Sequence, residues 1–440
     1  MTGSNKPRQQ ELLDVISSLD ALDRDEYVFV DYRIAAGEGL TIDESAVQLA
    51  VMTALGTSPA LSHEQRADRM NSTAKVISIN RGDRIHHVRI AYPVNLCEPR
   101  TGLSQLVAVL SLAAEYDFVK SIWVEDFICP SSFLKHFPGP RWGINGIRGL
   151  MGIRDRPLLG VIVKPRSGVS LAVVGESVYR ALLGGADYVI DDELVTDPHG
   201  EFCAPQRFAK LAGIAEKATR ESGSSKAYFA NVSASPLRAL GLSVQAEELG
   251  ANGLLVNGYS MGIGALSELS SNPDIHVPVL TCNMGWAMLS RTSDATGMSE
   301  VAMAKLSRIA GADGVYSGIL GSSWYSEAIF RQSLAALRQP MHAYNESFPV
   351  IAGGLTPLNL LDNLGVQGRD VMVQAGSAIF RHPGGSELGA KAFRLILDAF
   401  DPARSQEENA EILGDLWDKH LCVRDILKAH KYRSDQAGRK

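Results

Sequence analysis

The sequence predicts an α/β fold in which a small N-terminal α+β domain, of the ferredoxin-like type, precedes a closed parallel (β/α)8 barrel. In the second part of the chain, short apolar runs recur about every 22 to 40 residues, and stretches of helical periodicity separate them. Several of these helical stretches end in glycine directly before the next run, where a helix needs a left-handed residue. Eight such units within about 250 residues favour a closed barrel over the alternative, a doubly wound open sheet.

Length, charge and cysteine content exclude several classes of protein. The chain has 440 residues, enough for a barrel and a smaller domain, and its net charge of −6 predicts no nucleic-acid partner. The five cysteines include no Cys-x-x-Cys pair, which argues against a disulfide framework and structural zinc. No stretch has the pattern of a signal peptide or a membrane span, so we expect a cytoplasmic protein with no membrane partner.

Residues 1–148 are assigned to the N-terminal domain because strand and helix patterns are mixed there. A helix is predicted after Thr41, whose side chain can accept a hydrogen bond from a free N–H group, and a glycine ends it. A hairpin is predicted to turn at Arg81-Gly82-Asp83. The other predicted elements are the strands EYVFVDYRI and SIWVEDFI and the helix LSQLVAVLSLAAEY.

Residues 149–404 are assigned to the barrel. Its predicted strands are LGVIVKP, ADYVIDDE, AYFANVS, GLLVNGY, VPVLTCN, GVYSGIL, PVIAGG and VMVQAG. SLAVVGESVYRALLGG and SEVAMAKLSRIAGA are two of the helices predicted between them. Residues 405–440 are assigned to a C-terminal extension, with one capped helix, SQEENAEILGDLWDKH, and a polar end that we expect to be mobile.

Polar residues follow the predicted barrel strands at their carboxyl ends, where the working side chains of such barrels lie. Charged and amide side chains gathered at one mouth are not core residues, because burying them unpaired is costly. The alternative is that they only close the rim of the barrel through hydrogen bonds. In strand order, the residues at these strand ends are Lys164; Asp192 and Glu193; Asn231; Asn257; Cys282 and Asn283; Tyr316 and Ser317; Gly353 and Gly354; and Gln374, Gly376 and Ser377.

The ends of the last two barrel strands predict a phosphate site. Gly353-Gly354 and Gly376-Ser377 each precede a predicted helix start. Glycine lets backbone N–H groups approach an anion closely, and a helix N-terminus adds positive potential. Barrels of this kind often bind phosphate after strands 7 and 8, so we expect a small phosphorylated substrate. The alternative is that these glycines serve tight turns alone.

The acids at the second barrel strand predict a magnesium site. Ile190 and Asp192 share one side of that strand, and Asp191 lies on the other. Asp192 and Glu193 are hard oxygen ligands suited to Mg²⁺, and substrate oxygens and waters would complete the coordination. Pairing of these acids with a neighbouring lysine or arginine is the alternative. Lys164, in the same mouth, can act as a general base or stabilise an enolate as a cation.

Four motifs, GVIVKPRSGVS, GGADYVIDDE, AGG and QAGSAIFRHPGG, occur in the order of a known family. The chain resembles the large chain of ribulose bisphosphate carboxylase/oxygenase (RuBisCO), which has KPK-x-G-x-S, GG-x-D-x-x-KDDE, SGG and GGG-x-x-x-HP at these places. The resemblance covers nearly the whole chain, including the N-terminal domain. It implies a homodimer or larger homo-oligomer whose active site lies between two chains.

Carried over by position, the resemblance implies a role for each matched residue. Lys164 matches the lysine that abstracts or shuttles the substrate proton during enolisation, and Asp192 and Glu193 match two magnesium carboxylates. Arg166 takes the place of the second lysine of the KPK motif. The residues expected to bind the substrate or its phosphate are Arg166, Asn231, Asn283, Ser317, Gly353, Gly354, Gly376 and Ser377.

The departures from the family pattern exclude CO₂ fixation. Ile190 stands where the family has the lysine that is carbamylated and supplies the third metal ligand. Tyr316 replaces a histidine, Ser322 stands about where the CO₂-binding lysine should lie, and LTCNMGWAM lacks a His-Arg pair. Glu125 replaces an asparagine of the N-terminal domain that reaches the partner's site. The chain therefore resembles the RuBisCO-like proteins, which run other enolate chemistry.

We expect an enzyme that acts on a phosphorylated keto sugar or oxo sugar acid through an enolate. Decarboxylation, carboxyl transfer with hydrolysis, and isomerisation all pass through that intermediate. The loss of the carbamate at Ile190 favours decarboxylation or carboxyl transfer. The alternatives are an isomerase or enolase of methylthioribulose-phosphate type, an aldolase in which Lys164 forms a Schiff base, and a non-catalytic sugar-phosphate sensor.

Overall fold

The computed structural model describes residues 15–56, 72–291, 296–321 and 326–437. The chain divides into two compact units. The first comprises Met1–Pro138, Trp286–Ile309 and Met341–Ala343, and the second comprises Gly139–Gly285, Ala310–Pro340 and Tyr344–Lys440. The domain boundaries predicted after residues 148 and 404 stay predictions.

The first unit is built on a five-stranded sheet. Its strands are β1 (Tyr27–Ala36), β2 (Lys75–Asn80), β3 (His86–Pro93), β4 (Val119–Ile128) and β10 (Gly297–Met298). Their order is β10-β4-β1-β3-β2, and every pair is antiparallel except β10 with β4. The predicted strands and hairpin are confirmed, whereas β10, a two-residue strand from a much later part of the chain, has no sequence pattern that could predict it.

Helices complete the first unit. Its described helices are Ile42–Leu55, Leu103–Ser111, Ser131–Leu134, Ala287–Ser290 and Glu300–Ile309. The Ile42–Leu55 helix begins with a capping box between Thr41 and Glu44 and ends at Gly56, which has φ 68°. The Glu300–Ile309 helix packs on β4, where Lys305 Nζ lies 2.6 Å from Asp126 Oδ1. The helix predicted from SEVAMAKLSRIAGA is therefore present, but it packs on the five-stranded sheet of the first unit.

The second unit contains the predicted barrel. Its strands are β5 (Leu158–Ile162), β6 (Tyr188–Ile190), β7 (Ala227–Asn231), β8 (Gly253–Asn257), β9 (Val279–Cys282), β11 (Gly314–Tyr316), β12 (Phe348–Ile351) and β13 (Met372–Ala375). They close in the order β11-β12-β13-β5-β6-β7-β8-β9, and all pairs are parallel. All eight strand predictions are confirmed.

The barrel strands alternate with helices. The described helices of this unit are Gly143–Met151, Leu171–Leu183, Ala204–Ser222, Pro236–Glu248, Gly258–Met261, Ile263–Ser271, Glu327–Arg338, Pro357–Gln367, Ser377–Phe380, Ser386–Ala399, Gln406–Lys419 and Leu421–Ala437. The Gln406–Lys419 helix begins at Ser405 with a capping box, as its sequence predicts. The sequence predicts a mobile polar end after this helix. That prediction is wrong, because the segment as far as Ala437 forms the last helix.

Apolar side chains fill the barrel interior. The first helix of this unit contributes Ile144, Ile147 and Met151 to a core shared with strand residues such as Leu158 and Phe348. Backbone N–H groups at the start of this helix donate to a carboxylate that precedes β11, which ties the helix to the amino end of the barrel. None of the described helices combines the length and apolar character needed to cross a membrane.

Candidate active site at the carboxyl end of the barrel

The exit of β6 places three consecutive side chains in different surroundings. Ile190 is fully buried in the apolar interior of the barrel, beside residues such as Ile162 and Cys282. Asp191 and Asp192 are also buried, but each has its own set of partners. The alternation of sides that a strand requires therefore decides which of the two aspartates is structural and which belongs to the mouth.

Asp191 is an anchor. Its Oδ2 accepts hydrogen bonds from Arg207 Nε at 2.9 Å, from the Tyr228 hydroxyl at 2.8 Å and from the Asn231 backbone N–H at 2.9 Å. Burial raises the pKa of Asp191, and the Arg207 guanidinium, itself fully buried, opposes that rise. The pair joins β6 to the Ala204–Ser222 helix and to β7, which holds the strand exit in place.

Asp192 forms the ion pair of the site. Lys164, two residues beyond β5, donates from Nζ to Asp192 Oδ2, and Arg166 Nε lies 3.6 Å from Asp192 Oδ1. The Leu194 N–H also donates to Oδ1, at 2.9 Å. The Asp192 side chain is 1% exposed, whereas Lys164 is 26% and Arg166 is 45% exposed. The anion is thus buried, and both cations remain accessible from the mouth.

Asn231 holds the backbone of the acidic segment. Its Nδ2 donates to the carbonyl oxygens of Asp192 and Glu193, at 3.0 Å each, and its Oδ1 accepts from Ser233. Its side-chain atoms bond within the protein, and the contact of Asn231 with substrate stays a prediction. Burial raises the pKa of Glu193 and the Asp192 charge adds to the rise, whereas the cations of Lys164 and Arg166 lower it.

The loops after β12 and β13 contribute to the wall of a cavity, and the second of them also contacts Lys164. Gly353 and Gly354 have φ of 89° and 85°, a left-handed conformation that favours glycine. Gly376 lies against the Lys164 side chain, since a Cβ added there would be 3.5 Å from Lys164 Cγ. The next residue, Ser377, lines a cavity of about 200 Å³. Its wall also includes Gly354, Thr356, Arg381 and, from the last helix, His430.

The remaining predicted residues lie at neighbouring strand exits. Ser317 donates from Oγ to the Val350 carbonyl at 3.4 Å, so its hydroxyl is directed at the adjacent strand. Asn283 is half-buried and follows Cys282, the last residue of β9. Burial raises the pKa of the Cys282 thiol to about 12, and the nearby Glu193 charge adds to the rise. The structure does not bring Ser317 or Asn283 to the wall of the cavity.

A polar cluster below the mouth was not predicted as part of the site. The hydroxyls of Tyr188 and Tyr316 are buried beside the Gln374 side chain, whose two polar atoms are buried as well. Burial raises the pKa of Tyr316 well above its usual value, and the Glu193 charge adds to the rise. Gly160 makes room for the Tyr188 ring, which a Cβ at that position would overlap. The sequence did contain a signal for this cluster, since these polar residues stand at inward-facing positions of otherwise apolar strands.

The donor set does not fit the magnesium ion that the sequence predicts. The described residues contain no group of three or more histidine, cysteine, aspartate or glutamate side chains that could hold a metal ion. Magnesium requires six oxygen ligands in near-octahedral geometry. Here both oxygens of Asp192 already accept hydrogen bonds, and Ile190, where the resemblance leads one to expect a third ligand, is buried in the apolar core.

Two further residues are named from the resemblance. Ser322 falls in the segment 322–325, outside the described residues. Glu125, in β4 of the first unit, forms an ion pair in which its Oε1 lies 3.0 Å from Arg33 Nε, and its Oε2 lies 2.7 Å from His87 Nδ1. Its position in a partner's site stays a prediction.

Comparisons with known proteins agree over most of the chain. The family "Ribulose bisphosphate carboxylase large chain, N-terminal domain" matches residues 18–133, and the corresponding catalytic domain matches residues 143–418. A ribulose bisphosphate carboxylase of Archaeoglobus fulgidus is 31% identical over 409 residues, or 88% of this chain and 92% of that protein. A ribulose bisphosphate carboxylase-like protein of that organism is 30% identical over 394 residues, or 86% and 89%.

A solved structure shows the same architecture. The octameric ribulose-1,5-bisphosphate carboxylase/oxygenase of Pyrococcus horikoshii OT3 aligns with a TM-score of 0.87 at 25% identity. The alignment covers 96% of this chain and 99% of that chain.

Proposed function

Because the chain belongs to the ribulose bisphosphate carboxylase large-chain family, we propose that it is an enzyme that forms an enolate on a phosphorylated keto sugar or oxo sugar acid. The family is one of enzymes. A relative described as carboxylase-like supports a reaction other than CO₂ fixation. Ile190 supports it as well, because an isoleucine cannot be carbamylated and offers no ligand.

The observation that carries the proposal is the placement of Gly376 and Ser377. Gly376 lies against Lys164, and Ser377 lines the cavity that also contains Gly354 and Arg381. A phosphate group bound by backbone N–H groups and the Arg381 guanidinium would place the attached carbon chain next to the Lys164 amino group. We therefore assign phosphate binding to Gly353, Gly354, Gly376 and Ser377. Arg381 is an addition that the sequence did not predict.

The ion pair favours decarboxylation over isomerisation. Lys164 bonded to Asp192 is an ammonium, which is an acid and not a base. In a β-keto acid, the bond to the carboxylate breaks and its electron pair moves to the carbonyl oxygen, where the ammonium stabilises the enolate. The enolate carbon then takes a proton from Lys164, and water returns a proton to the amine, leaving a hydroxide ion that combines with the released CO₂ as bicarbonate. An isomerase would need Lys164 to release its proton before it could remove one from carbon.

Solvent-deuterium exchange tests the proposal directly. We expect incorporation of deuterium into the carbon next to the carbonyl of phosphorylated keto sugars, or release of CO₂ from phosphorylated oxo sugar acids, measured by mass spectrometry. Lys164→Gln is the matched control, because glutamine keeps a hydrogen-bond donor towards Asp192 but carries no charge. Binding of such sugars without exchange or CO₂ release would identify a sensor. A borohydride-trapped adduct on Lys164 would identify Schiff-base chemistry instead.

We also propose that the protein is a homo-oligomer, because the structural neighbour described above is octameric. The resemblance places the active site of the family between two chains, with Glu125 facing the partner's pocket. Light scattering should give the mass of a dimer or of a multiple of it. If the dimer completes the site, dilution below the dissociation concentration should reduce turnover per chain. A monomer with full activity contradicts this.

A further inference from the structure

We infer that the Lys164 ammonium takes the place of a divalent cation in this site, so that enolate formation needs no metal ion. The inference rests on the proposed enolate chemistry. Its geometric basis is the set of contacts around Asp192, together with the surroundings of Ile190.

The charges at the mouth already balance. Lys164 and Arg166 supply two positive charges, and Asp192 and Glu193 supply two negative ones. A divalent cation bound to these acids would leave two uncompensated charges and would lie within a few ångströms of an ammonium and a guanidinium. Like charges at such distances repel each other, and the repulsion is stronger in a partly buried site than in water. In the absence of substrate, a metal ion would therefore have to compete with Lys164 for Asp192.

The coordination shell cannot be completed from the strand. Ile190 lies on the same side of β6 as Asp192 but is 0% exposed and belongs to the apolar cluster. Asp192 Oδ1 accepts from the Leu194 N–H, which draws that oxygen towards the backbone. With one Asp192 oxygen bonded to Lys164 and the other to the Leu194 N–H, Glu193 is the carboxylate of this segment that is left for a cation, and waters and substrate would have to supply the rest of the octahedron.

The position of Lys164 allows its ammonium to do the work of a metal ion at the enolate oxygen. Its side chain is 26% exposed, so the ammonium faces both the buried carboxylate and the mouth. An ammonium has three donors, and the bond to Asp192 uses one of them. Two donors remain for an enolate oxygen. Asp192 would then act as a positioning residue, which holds Lys164 in place without touching the substrate.

Metal binding tests this inference without knowledge of the substrate. Chelator-treated protein is titrated with Mn²⁺, with and without inorganic phosphate, and bound metal is measured by electron paramagnetic resonance. We expect no stoichiometric binding by the wild type. Lys164→Gln should bind Mn²⁺ at least tenfold more tightly than the wild type, because Asp192 loses its cation. Wild-type binding as tight as that of Lys164→Gln would overturn the inference.

A second variant tests the missing ligand. Ile190→Lys introduces a side chain that bicarbonate can carbamylate, and Ile190→Leu is the matched control that keeps an apolar core. With bicarbonate, Ile190→Lys combined with Lys164→Gln should bind Mn²⁺ more tightly than Lys164→Gln alone, whereas Ile190→Leu should bind none. Circular dichroism confirms that each variant is folded. Stoichiometric Mn²⁺ binding by Ile190→Leu would contradict the inference.

Once a reacting sugar phosphate is known, chelation separates this inference from the proposed function. Deuterium exchange or CO₂ release should change by less than about twofold between excess chelator and excess Mg²⁺. Activity abolished by the chelator would overturn the metal-free site and leave the enolate reaction intact. No activity with any sugar phosphate would overturn the proposed function, and the Mn²⁺ titrations would still decide the metal question.

Discussion

The two ends of the barrel both contain buried aspartates, but they use them in different ways. At the amino end, Asp187 is 2% exposed and accepts two bonds from Arg156 at 2.7 Å, one from the Leu159 N–H at 2.8 Å and one from Arg394 at 3.3 Å. At the carboxyl end, Asp192 is equally buried, and the exposure of Lys164, 26%, is similar to the 31% of Arg156. The two ends differ in the use of the donors. Arg156 and Arg394 also donate to the Pro157 carbonyl, whereas Lys164 donates to Asp192 alone among the described residues and faces the mouth. A closed network holds strands together, whereas an accessible cation can bind a substrate.

The largest expected effect lies at the carboxyl end. Lys164→Gln should lower the rate of enolate formation by about 10²- to 10⁴-fold, because the charge that stabilises the enolate is lost. Its thermal stability should fall less than when the Asp187 pairs are broken, since the amide can still donate to Asp192 and Arg166 remains 3.6 Å from that carboxylate. Turnover and calorimetry measure the two quantities. A variant that unfolds at a much lower temperature would assign Lys164 to the fold and remove the contrast between the two ends.

At the amino end, the expected effect is on stability. Asp187→Ala leaves the Arg156 and Arg394 guanidinium groups without their shared carboxylate, and breaking such a buried pair costs about 3–5 kcal/mol. Urea unfolding measures the loss, and turnover per folded molecule should stay close to that of the wild type. A specific loss of turnover in the folded variant would contradict the assignment of this end to stability.

A pH-dependent effect sharpens the comparison. Asp313 accepts bonds from the N–H groups of Trp142, Gly143 and Val279, and burial raises its pKa from 3.8 to about 6. The folded state then holds a proton that the unfolded state has released between about pH 4 and pH 6, so stability falls as pH rises through that window. The loss amounts to about 3 kcal/mol and is complete above pH 6.

Asp313→Asn has no titrating carboxyl at this position. The stability of the wild type relative to this variant should therefore decline from pH 4 to pH 6 and stay level above it. Urea unfolding at a series of pH values measures the difference. A difference that grows with pH would show that the three N–H donors outweigh burial.

The smallest expected effect concerns Arg166. Its side chain is 45% exposed and 3.6 Å from Asp192 Oδ1, so its contribution to stability is small. Arg166→Gln should raise KM for a phosphorylated substrate by about tenfold and change kcat less, because a binding charge is lost. Arg166→Lys should recover part of the loss. An equal fall in kcat would place Arg166 in the chemical step instead.

The barrel was predictable because its signals are local. Eight apolar runs, each short enough for a buried strand, alternate with helical stretches, and parallel strands close into a barrel almost only in this arrangement. The positions of Lys164 and Asp192 at adjacent strand exits followed from the same pattern. The strand alternation that separates Asp191 from Ile190 and Asp192 was also local information.

Other features depended on contacts between distant segments. Asp191 accepts a hydrogen bond from Arg207 because a helix packs on a strand. The Asn231 amide donates to a carbonyl at the neighbouring strand exit. The cavity wall includes residues of the last helix, where the sequence predicted a mobile end. A polar residue in a sequence shows which bonds it can make but not which partner will lie within reach.

The sequence alone determined the order of strands and helices and the residues at the barrel mouth, because periodicity and strand ends are properties of neighbouring residues. Tertiary structure decided the use of those residues. It paired Lys164 with Asp192, buried Ile190 in an apolar core and directed Asn231 inwards. The physical reason is that a charge and a hydrogen bond take their energy from partners and from burial, and folding brings both from far along the chain.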